Sequence, residues 1–370
     1  MRSDLLRILI TIMDVKSYID NIVIKEKKIP YFDVLVTKGE TEVFRYFTNA
    51  QNSATGNEKL YMYSCSKVIT AVATMMLVER GKLSLDDEVS KFLSCFNDVF
   101  LIKDGKKVKP QNKVTIKHLL TMSAGLNYNF DTEFIKSRFE KNHLSTTLDI
   151  IEEIVKSPLS FEPGEKFAYS LCHDVLGGVI EVVSGLKFSD FVYENIFKPL
   201  GIETMTFKCD SKGYEKLYYA ESGKVVPYIY KEVAWANHPS YESGGGGLKG
   251  TVKGYSLFLQ GLVNGKLLKK ETLDLMTKEQ TSNFKIQNTY ACIQGGDYGY
   301  GLGVRTRKTP TPYGLPVGEF GWDGAAGSYA LVDRKNNVTI TMGMHVRNWP
   351  SVFKGEHLKI VEMIYKTYFN

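Results

Sequence analysis

The stretch that decides the fold runs from residue 64 to residue 81 and reads SCSKVITAVATMMLVERG. It opens with a Ser-x-x-Lys pattern, Ser64 with Lys67, and apolar residues then fill most positions up to Arg80. A helix that is apolar nearly all round is typical of a buried position, and Gly81 is the residue type that commonly ends a helix. The stretch therefore predicts a buried helix from Ser64 to about Arg80.

A serine at the head of such a helix is well placed to act as a nucleophile. Free backbone N–H groups and the positive end of the helix dipole favour negative charge there. Lys67 lies one turn along, and an amine held among apolar groups has a lowered pKa and can act as a base.

The Ser-x-x-Lys pattern alone is a weak signal, because a helix cap beside a surface lysine gives the same spacing. Only the first of four matches heads a long apolar helix. The four matches are Ser64/Lys67, Ser184/Lys187, Ser282/Lys285 and Ser351/Lys354.

Two further motifs carry groups that a nucleophilic serine needs. Tyr169 precedes a predicted helix over 172–184, and a phenolate stabilised by a nearby lysine can take a proton from serine and return it to the leaving group. Residues 321–328 read GWDGAAGS, and such small residues let a substrate lie against backbone N–H groups that donate to an oxyanion. A core aromatic and a glycine-rich hairpin are the alternative interpretations.

The order of predicted elements indicates the fold class. Strand-like runs at 31–38 and 41–47 follow a helix over 15–25, and the region 82–240 is rich in helices and loops. Further strand-like runs and a last helix close the chain. Their predicted ranges are 299–306, 315–323, 326–333, 337–346 and 355–368. The simplest assembly joins both ends of the chain in one antiparallel sheet with the helical part inserted.

Together the three motifs resemble those of the serine β-lactamase and penicillin-binding-protein superfamily, in which a Ser-x-x-Lys helix, a Tyr-x-Asn element and a Lys-Thr-Gly strand line one cleft. The resemblance spans about Phe32 to His345. It implies an α/β (α+β) fold of the β-lactamase/transpeptidase type, with an antiparallel sheet flanked by N- and C-terminal helices and an inserted helical lobe. Residues 1–60 and 250–370 are expected to form the sheet lobe and residues 61–249 the helical lobe, with the active site between them.

Two departures from the superfamily pattern bear on the substrate. Residues 169–171 read Tyr-Ser-Leu, so Leu171 stands where asparagine is usual, and residues 322–324 read Trp-Asp-Gly instead of Lys-Thr-Gly. Asp323 adds negative charge where β-lactamases bind a carboxylate, which should disfavour an anionic substrate. These departures and the Glu-Ser-Gly-Gly-Gly-Gly-Leu stretch at 242–248 resemble the family VIII carboxylesterases, which implies acyl-ester substrates and no cofactor or metal.

The resemblance implies Ser64 as nucleophile, Lys67 and Tyr169 as its proton acceptors, and the backbone N–H groups of Ser64 and Ala325 as the oxyanion hole. Trp322 is expected to form an apolar wall. The predicted substrate-binding residues are Trp322, Asp323, Gly324, Leu171, Tyr128 and Tyr241. Phe130 and Phe134 are further candidates for the acyl site, and a packing role stays open for each aromatic wall residue.

The predicted function is a serine hydrolase that forms an acyl-enzyme, an esterase acting on a small-molecule acyl substrate. One alternative is a β-lactamase or D-amino-acid peptidase of the same fold, with Asp323 attracting a substrate amine. The other is a catalytically inactive relative that binds a ligand or acts as a sensor. The sequence leaves the oligomeric state open.

Composition argues against several other classes of protein. The 370 residues carry a net charge of +6 with mixed local charges, so no nucleic-acid partner is expected. Five cysteines without a CxxC pair favour a reducing, cytoplasmic location over a disulfide framework or a zinc site. The apolar run Leu5–Met13 is interrupted by Arg7 and is too short to cross a membrane, so no stable membrane insertion is expected. Export stays open, and Met13 is a candidate start.

Overall fold

The structure is a computed structural model. It describes residues 14–26, 28–129, 135, 145–209, 214–228, 238–288, 296–348 and 355–369. The predictions for Phe130, Phe134 and the segment up to Met13 lie outside these residues.

The described residues form nine α-helices, which include the helices predicted over 172–184 and 355–368. They are α1 Val15–Tyr18, α2 Ser66–Glu79, α3 Ile116–Leu120, α4 Thr147–Ile154, α5 Cys172–Ser184, α6 Phe188–Val192, α7 Val252–Val263, α8 Lys270–Thr277 and α9 Glu356–Tyr368. Helices α1 and α6 continue as π-helical turns over Ile19–Glu26 and Tyr193–Phe197.

The strands are mostly short. They are β1 Tyr31–Lys38, β2 Thr41–Asn49, β3 Leu60–Tyr61, β4 Leu101–Lys103, β5 Lys106–Val108, β6 Lys166–Ala168, β7 Met205–Thr206, β8 Tyr218–Glu221, β9 Lys224–Pro227, β10 Lys249–Gly250, β11 Lys285–Asn288, β12 Tyr298–Tyr300, β13 Arg305–Arg307, β14 Phe320–Asp323, β15 Tyr329–Asp333, β16 Val338–Gly343 and β17 Val346–Arg347.

A seven-stranded antiparallel sheet joins the two ends of the chain, in the order β12-β13-β14-β15-β16-β1-β2. The ends meet where β1 pairs with β16, in a register that runs from Asp33 opposite Gly343 to Lys38 opposite Val338. Strand β1 is buried along nearly its whole length, whereas the edge strand β2 is largely part-exposed. The predicted antiparallel sheet is confirmed.

The two faces of the sheet pack against different helices. Phe320 and Trp322 of β14 face a core that contains α2 and α5, whereas Tyr329 and Leu331 of β15 face a second core formed with α1 and α9. Successive side chains of a strand point to opposite faces, so one strand serves both cores. The sheet is thus flanked by the N- and C-terminal helices on one side and by the helical part on the other, as predicted.

The nucleophile candidate lies in a turn just before α2. Tyr63–Cys65 form a 3-10 turn and the α-helix begins at Ser66, two residues after the predicted start. Tyr63 has a positive φ of 44°, which lets the chain turn sharply into the helix. Residues Ser66 to Leu77 are all buried, which confirms the predicted buried helix.

Two other boundaries are informative. Strand β3 pairs with β10, so Tyr61 and Lys249, the expected ends of the helical lobe, lie side by side. The division into lobes itself stays a prediction. The single strand predicted over 299–306 is wrong. Gly303 adopts a positive φ of 83°, and the chain there turns between β12 and β13.

A buried cation lies on the sheet face that carries α1 and α9. Arg305 is buried, and its guanidinium donates to Asp323 Oδ1 at 2.7 Å and to the Ala330 carbonyl at 3.0 Å. Glu319 Oε1 lies 3.4 Å from the same guanidinium, and the Tyr329 ring lies 4.6 Å from it. Three charges taken out of water are tolerated only because they face one another.

Arg305→Gln should strongly destabilise the fold, because it leaves the carboxylates of Asp323 and Glu319 buried without a cation. We expect the free energy of unfolding to fall by about 3–5 kcal/mol in urea denaturation. The control is Arg334→Gln, which removes a solvent-exposed pair with Asp274 and should matter far less. Equal losses in the two variants would contradict this account of Arg305.

Candidate active site

The hydroxyl of Ser64 is contacted by both of the groups predicted to activate it. The Tyr169 hydroxyl donates to Ser64 Oγ at 2.7 Å, and Lys67 Nζ donates to the same oxygen at 3.2 Å. All three side chains are buried, with exposed fractions of 3% for Ser64, 0% for Lys67 and 5% for Tyr169. The turn before α2 and the segment before α5 thus bring together residues 105 positions apart.

Among the described residues, no carboxylate forms a direct ion pair with the amine of Lys67. Its Nζ donates to the Gly245 carbonyl at 2.5 Å, and burial lowers its pKa from 10.5 to about 8, an effect that the charge of Asp174 partly opposes. A side chain on residue 245 would collide with the Asp174 carboxylate, so the position requires glycine. The glycine run thus supplies the acceptor that holds this amine in place.

Asp174 is the functional residue that sequence reasoning missed. An aspartate in the first turn of a helix is expected there on grounds of helix stability alone, which hid its role. Its Oδ1 accepts hydrogen bonds from Tyr241 at 2.6 Å, from Ser243 at 2.5 Å and from the Gly245 N–H at 3.4 Å. Asp174 therefore joins α5 to the glycine run that holds Lys67.

The Tyr169 ring contacts two other aromatic rings. The Tyr128 ring stacks on it at 5.2 Å between centroids, and the Trp322 ring lies at 5.5 Å on an interplanar angle of 26°. Trp322 Nε1 donates to the Tyr169 hydroxyl at 3.3 Å. Lys67 Nζ lies 4.7 Å from the Tyr169 ring centroid, a cation–π distance when the amine is charged.

The segment predicted to complete the oxyanion hole lies against the Ser64 turn. Ser328 Oγ donates to the Met62 carbonyl at 2.7 Å, and Cys65 Sγ lies 3.6 Å from the Trp322 carbonyl. A side chain on Gly324 would collide with the Met62 carbonyl, so only glycine permits this approach. In the described ranges the backbone N–H of Ala325 donates to no acceptor, which leaves it available.

The structure corrects the expectation for Asp323. Its side chain projects from β14 to the opposite face from Trp322, where it accepts the hydrogen bond from Arg305. The expected unbalanced negative charge near the substrate is therefore wrong, because a guanidinium faces the carboxylate.

Burial corrects two other predicted substrate contacts. Leu171 is fully buried in the core. Tyr241 is buried with its hydroxyl on Asp174, so it supports the site from behind. Trp322 is fully buried, stacks on Tyr169 and offers that residue a hydrogen bond, and its role as an apolar wall stays a prediction. Tyr128 is 36% exposed and stacks on Tyr169, and its role as a substrate contact stays a prediction too.

Several observations concern other kinds of site. Within the described ranges, no three His, Cys, Asp or Glu side chains come together as a metal site would require. The cysteines described there, Cys65, Cys95, Cys172 and Cys209, are free thiols. In the same part of the chain, every helix is too short or too polar to cross a bilayer.

The fold and this site define a class of protein: the serine hydrolases and acyltransferases built on the β-lactamase fold. The Beta-lactamase family model matches residues 19–361, and the chain belongs to that family.

Named relatives include hydrolases and acyltransferases. The chain is 28% identical to the lovastatin esterase of Penicillium rubens over 321 residues, 76% of this chain and 78% of that protein. It is 28% identical to the acyltransferase mokF of Monascus pilosus over 227 residues, 58% of this chain and about half, 55%, of that relative's length. The solved structure of EstCE1, described as a hydrolase with promiscuous acyltransferase activity, has a TM-score of 0.79 at 23% identity, covers 95% of this chain and 97% of its own, and shows the same fold.

The lowered pKa of Lys67 should make stability depend on pH. Between about pH 8 and pH 10.5 Lys67 keeps its proton in the unfolded chain and has lost it in the folded protein, so its contribution to the free energy of unfolding rises with pH in that window. We expect this group to contribute a rise on the order of 3 kcal/mol. Urea denaturation of the wild type and Lys67→Met at several pH values measures it.

The matched control is Lys82→Met, which removes an exposed lysine. The wild type and this control should show the same pH profile, and the difference in stability between each of them and Lys67→Met should change by about this amount across the window. Parallel profiles for the wild type and Lys67→Met would contradict the buried, proton-poor amine.

Proposed function

We propose that the protein is an esterase that transfers the acyl group of a small ester to Ser64 and then to water. The observation that carries the proposal is the pair of hydrogen bonds at Ser64 Oγ, 2.7 Å from the Tyr169 hydroxyl and 3.2 Å from Lys67 Nζ. These distances allow proton transfer without rearrangement, and all three side chains are buried.

Acylation begins when Ser64 Oγ attacks the ester carbonyl carbon. The hydroxyl proton passes to the Lys67–Tyr169 pair, which can accept it because the lowered pKa leaves part of the Lys67 population neutral near neutral pH. The two groups contact one another and the same hydroxyl, so the proton belongs to the pair and not to one residue.

The tetrahedral intermediate carries a negative oxygen. The backbone N–H groups of Ser64 and Ala325 donate to it, and the tight packing of Gly324 on Met62 fixes their separation. When the intermediate collapses, Tyr169 gives its proton to the leaving alkoxide and the alcohol departs. Water then attacks the acyl-enzyme, gives its proton to the pair, and releases the acid and free Ser64.

The alternatives have less support from the site. A peptidase that anchors a substrate amine on Asp323 loses that anchor, since Arg305 faces the carboxylate. An inactive relative has no need for three buried groups aligned on one hydroxyl. The esterase named among the relatives, which matches over about three quarters of both chains, supports the ester assignment.

A substrate panel with Ser64→Ala tests the proposal. We expect the wild type to hydrolyse 4-nitrophenyl acetate and butyrate faster than nitrocefin or a D-alanyl amide, and Ser64→Ala to lose roughly 10⁴-fold or more of the ester activity. Ser184→Ala, in a second Ser-x-x-Lys match, is the matched control and should keep wild-type rates. Ester hydrolysis by Ser64→Ala at the wild-type rate would refute the nucleophile, and faster turnover of nitrocefin would refute the ester preference.

A further inference from the structure

An arginine lies in an aromatic cluster beside the Ser64 turn. Arg347 of β17 is half-buried, and its guanidinium carbon lies 5.5 Å from the Tyr63 ring centroid and 5.0 Å from that of Tyr228. Its Nη1 donates to the Tyr228 hydroxyl at 2.7 Å. We call these three residues the Tyr63–Arg347–Tyr228 cluster.

This cluster adjoins both backbone segments of the proposed oxyanion hole. Tyr63 directly precedes Ser64, and its positive φ directs the chain into the nucleophile turn. On the other side, the N–H of Val346 donates to the Ala326 carbonyl at 3.0 Å, which places β17 against the segment that carries Ala325. Arg347 therefore lies beside both segments: its guanidinium faces Tyr63, and its neighbour Val346 bonds to Ala326.

The charge of Arg347 is compensated differently from the charges of Arg305 and Arg45. Arg305 and Arg45 each face a buried carboxylate, Asp323 at 2.7 Å and Asp33 at 2.5 Å. In the described part of the chain, Arg347 faces no carboxylate, and its contacts are two aromatic rings and one phenol. Its remaining N–H donors therefore stay free to bind an acceptor from outside the protein.

We propose that Arg347 determines specificity by binding a carboxylate on the substrate, so that the preferred esters carry an acid group close to the reacting carbonyl. The inference rests on the proposed esterase function and deepens it. A guanidinium held between two rings keeps its planar fork oriented, and a carboxylate matches that fork with two charge-assisted hydrogen bonds. Asp323 does not oppose such a substrate, because Arg305 balances its charge.

Pairs of substrates that differ only in charge test this inference. On the acyl side, 4-nitrophenyl hydrogen glutarate is compared with 4-nitrophenyl pentanoate. On the alcohol side, 4-acetoxybenzoate is compared with 4-acetoxybenzamide. For one of the two pairs, Arg347→Gln should lower kcat/KM of the anionic ester roughly 10- to 100-fold, mainly through KM, and leave the neutral partner unchanged.

Two further variants sharpen the comparison. Arg347→Lys keeps the charge without the planar fork and should retain part of the anionic preference. Arg334→Gln removes a positive charge from the turn between β15 and β16, where Arg334 pairs with exposed Asp274 of α8. This variant should leave kcat/KM unchanged for the anionic and the neutral esters.

The outcomes distinguish a failure of the proposed role of Arg347 from a failure of the proposed esterase function. An unchanged ratio in both pairs for Arg347→Gln, with normal neutral turnover, would overturn the role of Arg347 alone. An equal fall for anionic and neutral esters would also overturn it, since Arg347 would then only support the Tyr63 turn. If the wild type hydrolyses neither the neutral nor the anionic esters, the proposed function fails and takes this inference with it.

Discussion

The removal of one amine from water is the constraint on which the site depends. Lys67 is buried in a helix that is apolar nearly all round, and this lowers its pKa to about 8. Because the buried amine has lost its hydrogen bonds to water, it needs acceptors within the protein. The Gly245 carbonyl and the Ser64 hydroxyl are those acceptors. The glycine run and Asp174 follow from this need, because each shapes the space around the amine.

The parts of the fold that local pattern controls could be predicted from the sequence. The β1–β2 hairpin, helix α5 and the buried helix after Ser64 follow from turn residues and hydrophobic periodicity. The meeting of Ser64, Lys67 and Tyr169 came from the order of three motifs, not from any one of them. What escaped prediction depends on contacts between distant segments: the partners of Asp174, the face to which Asp323 points, and the positive φ of Gly303 that divides a predicted strand in two.

Positive charge is compensated differently behind β14 and beside the nucleophile turn. Behind β14, Arg305 and its two carboxylates form a closed set that contributes to folding and isolates Asp323 from the cleft. Beside the nucleophile turn, the described residues that contact Arg347 are two aromatic rings and a phenol. The sequence places Arg305 within a predicted strand and Arg347 just after another, and it does not distinguish their charges, because the partners of each lie in other parts of the chain. Only the three-dimensional arrangement indicates which cation is free for a ligand.

The most direct test of the site is the rate at which a fluorophosphonate labels Ser64, measured from pH 6 to pH 10 in the wild type and in Tyr169→Phe. The account predicts that labelling of the wild type accelerates with a midpoint near pH 8, as the amine of Lys67 loses its proton, and that Tyr169→Phe is slower by roughly 10²-fold or more across the range. A flat profile for the wild type, or equal rates for the two proteins, would contradict the proton transfer on which the account depends.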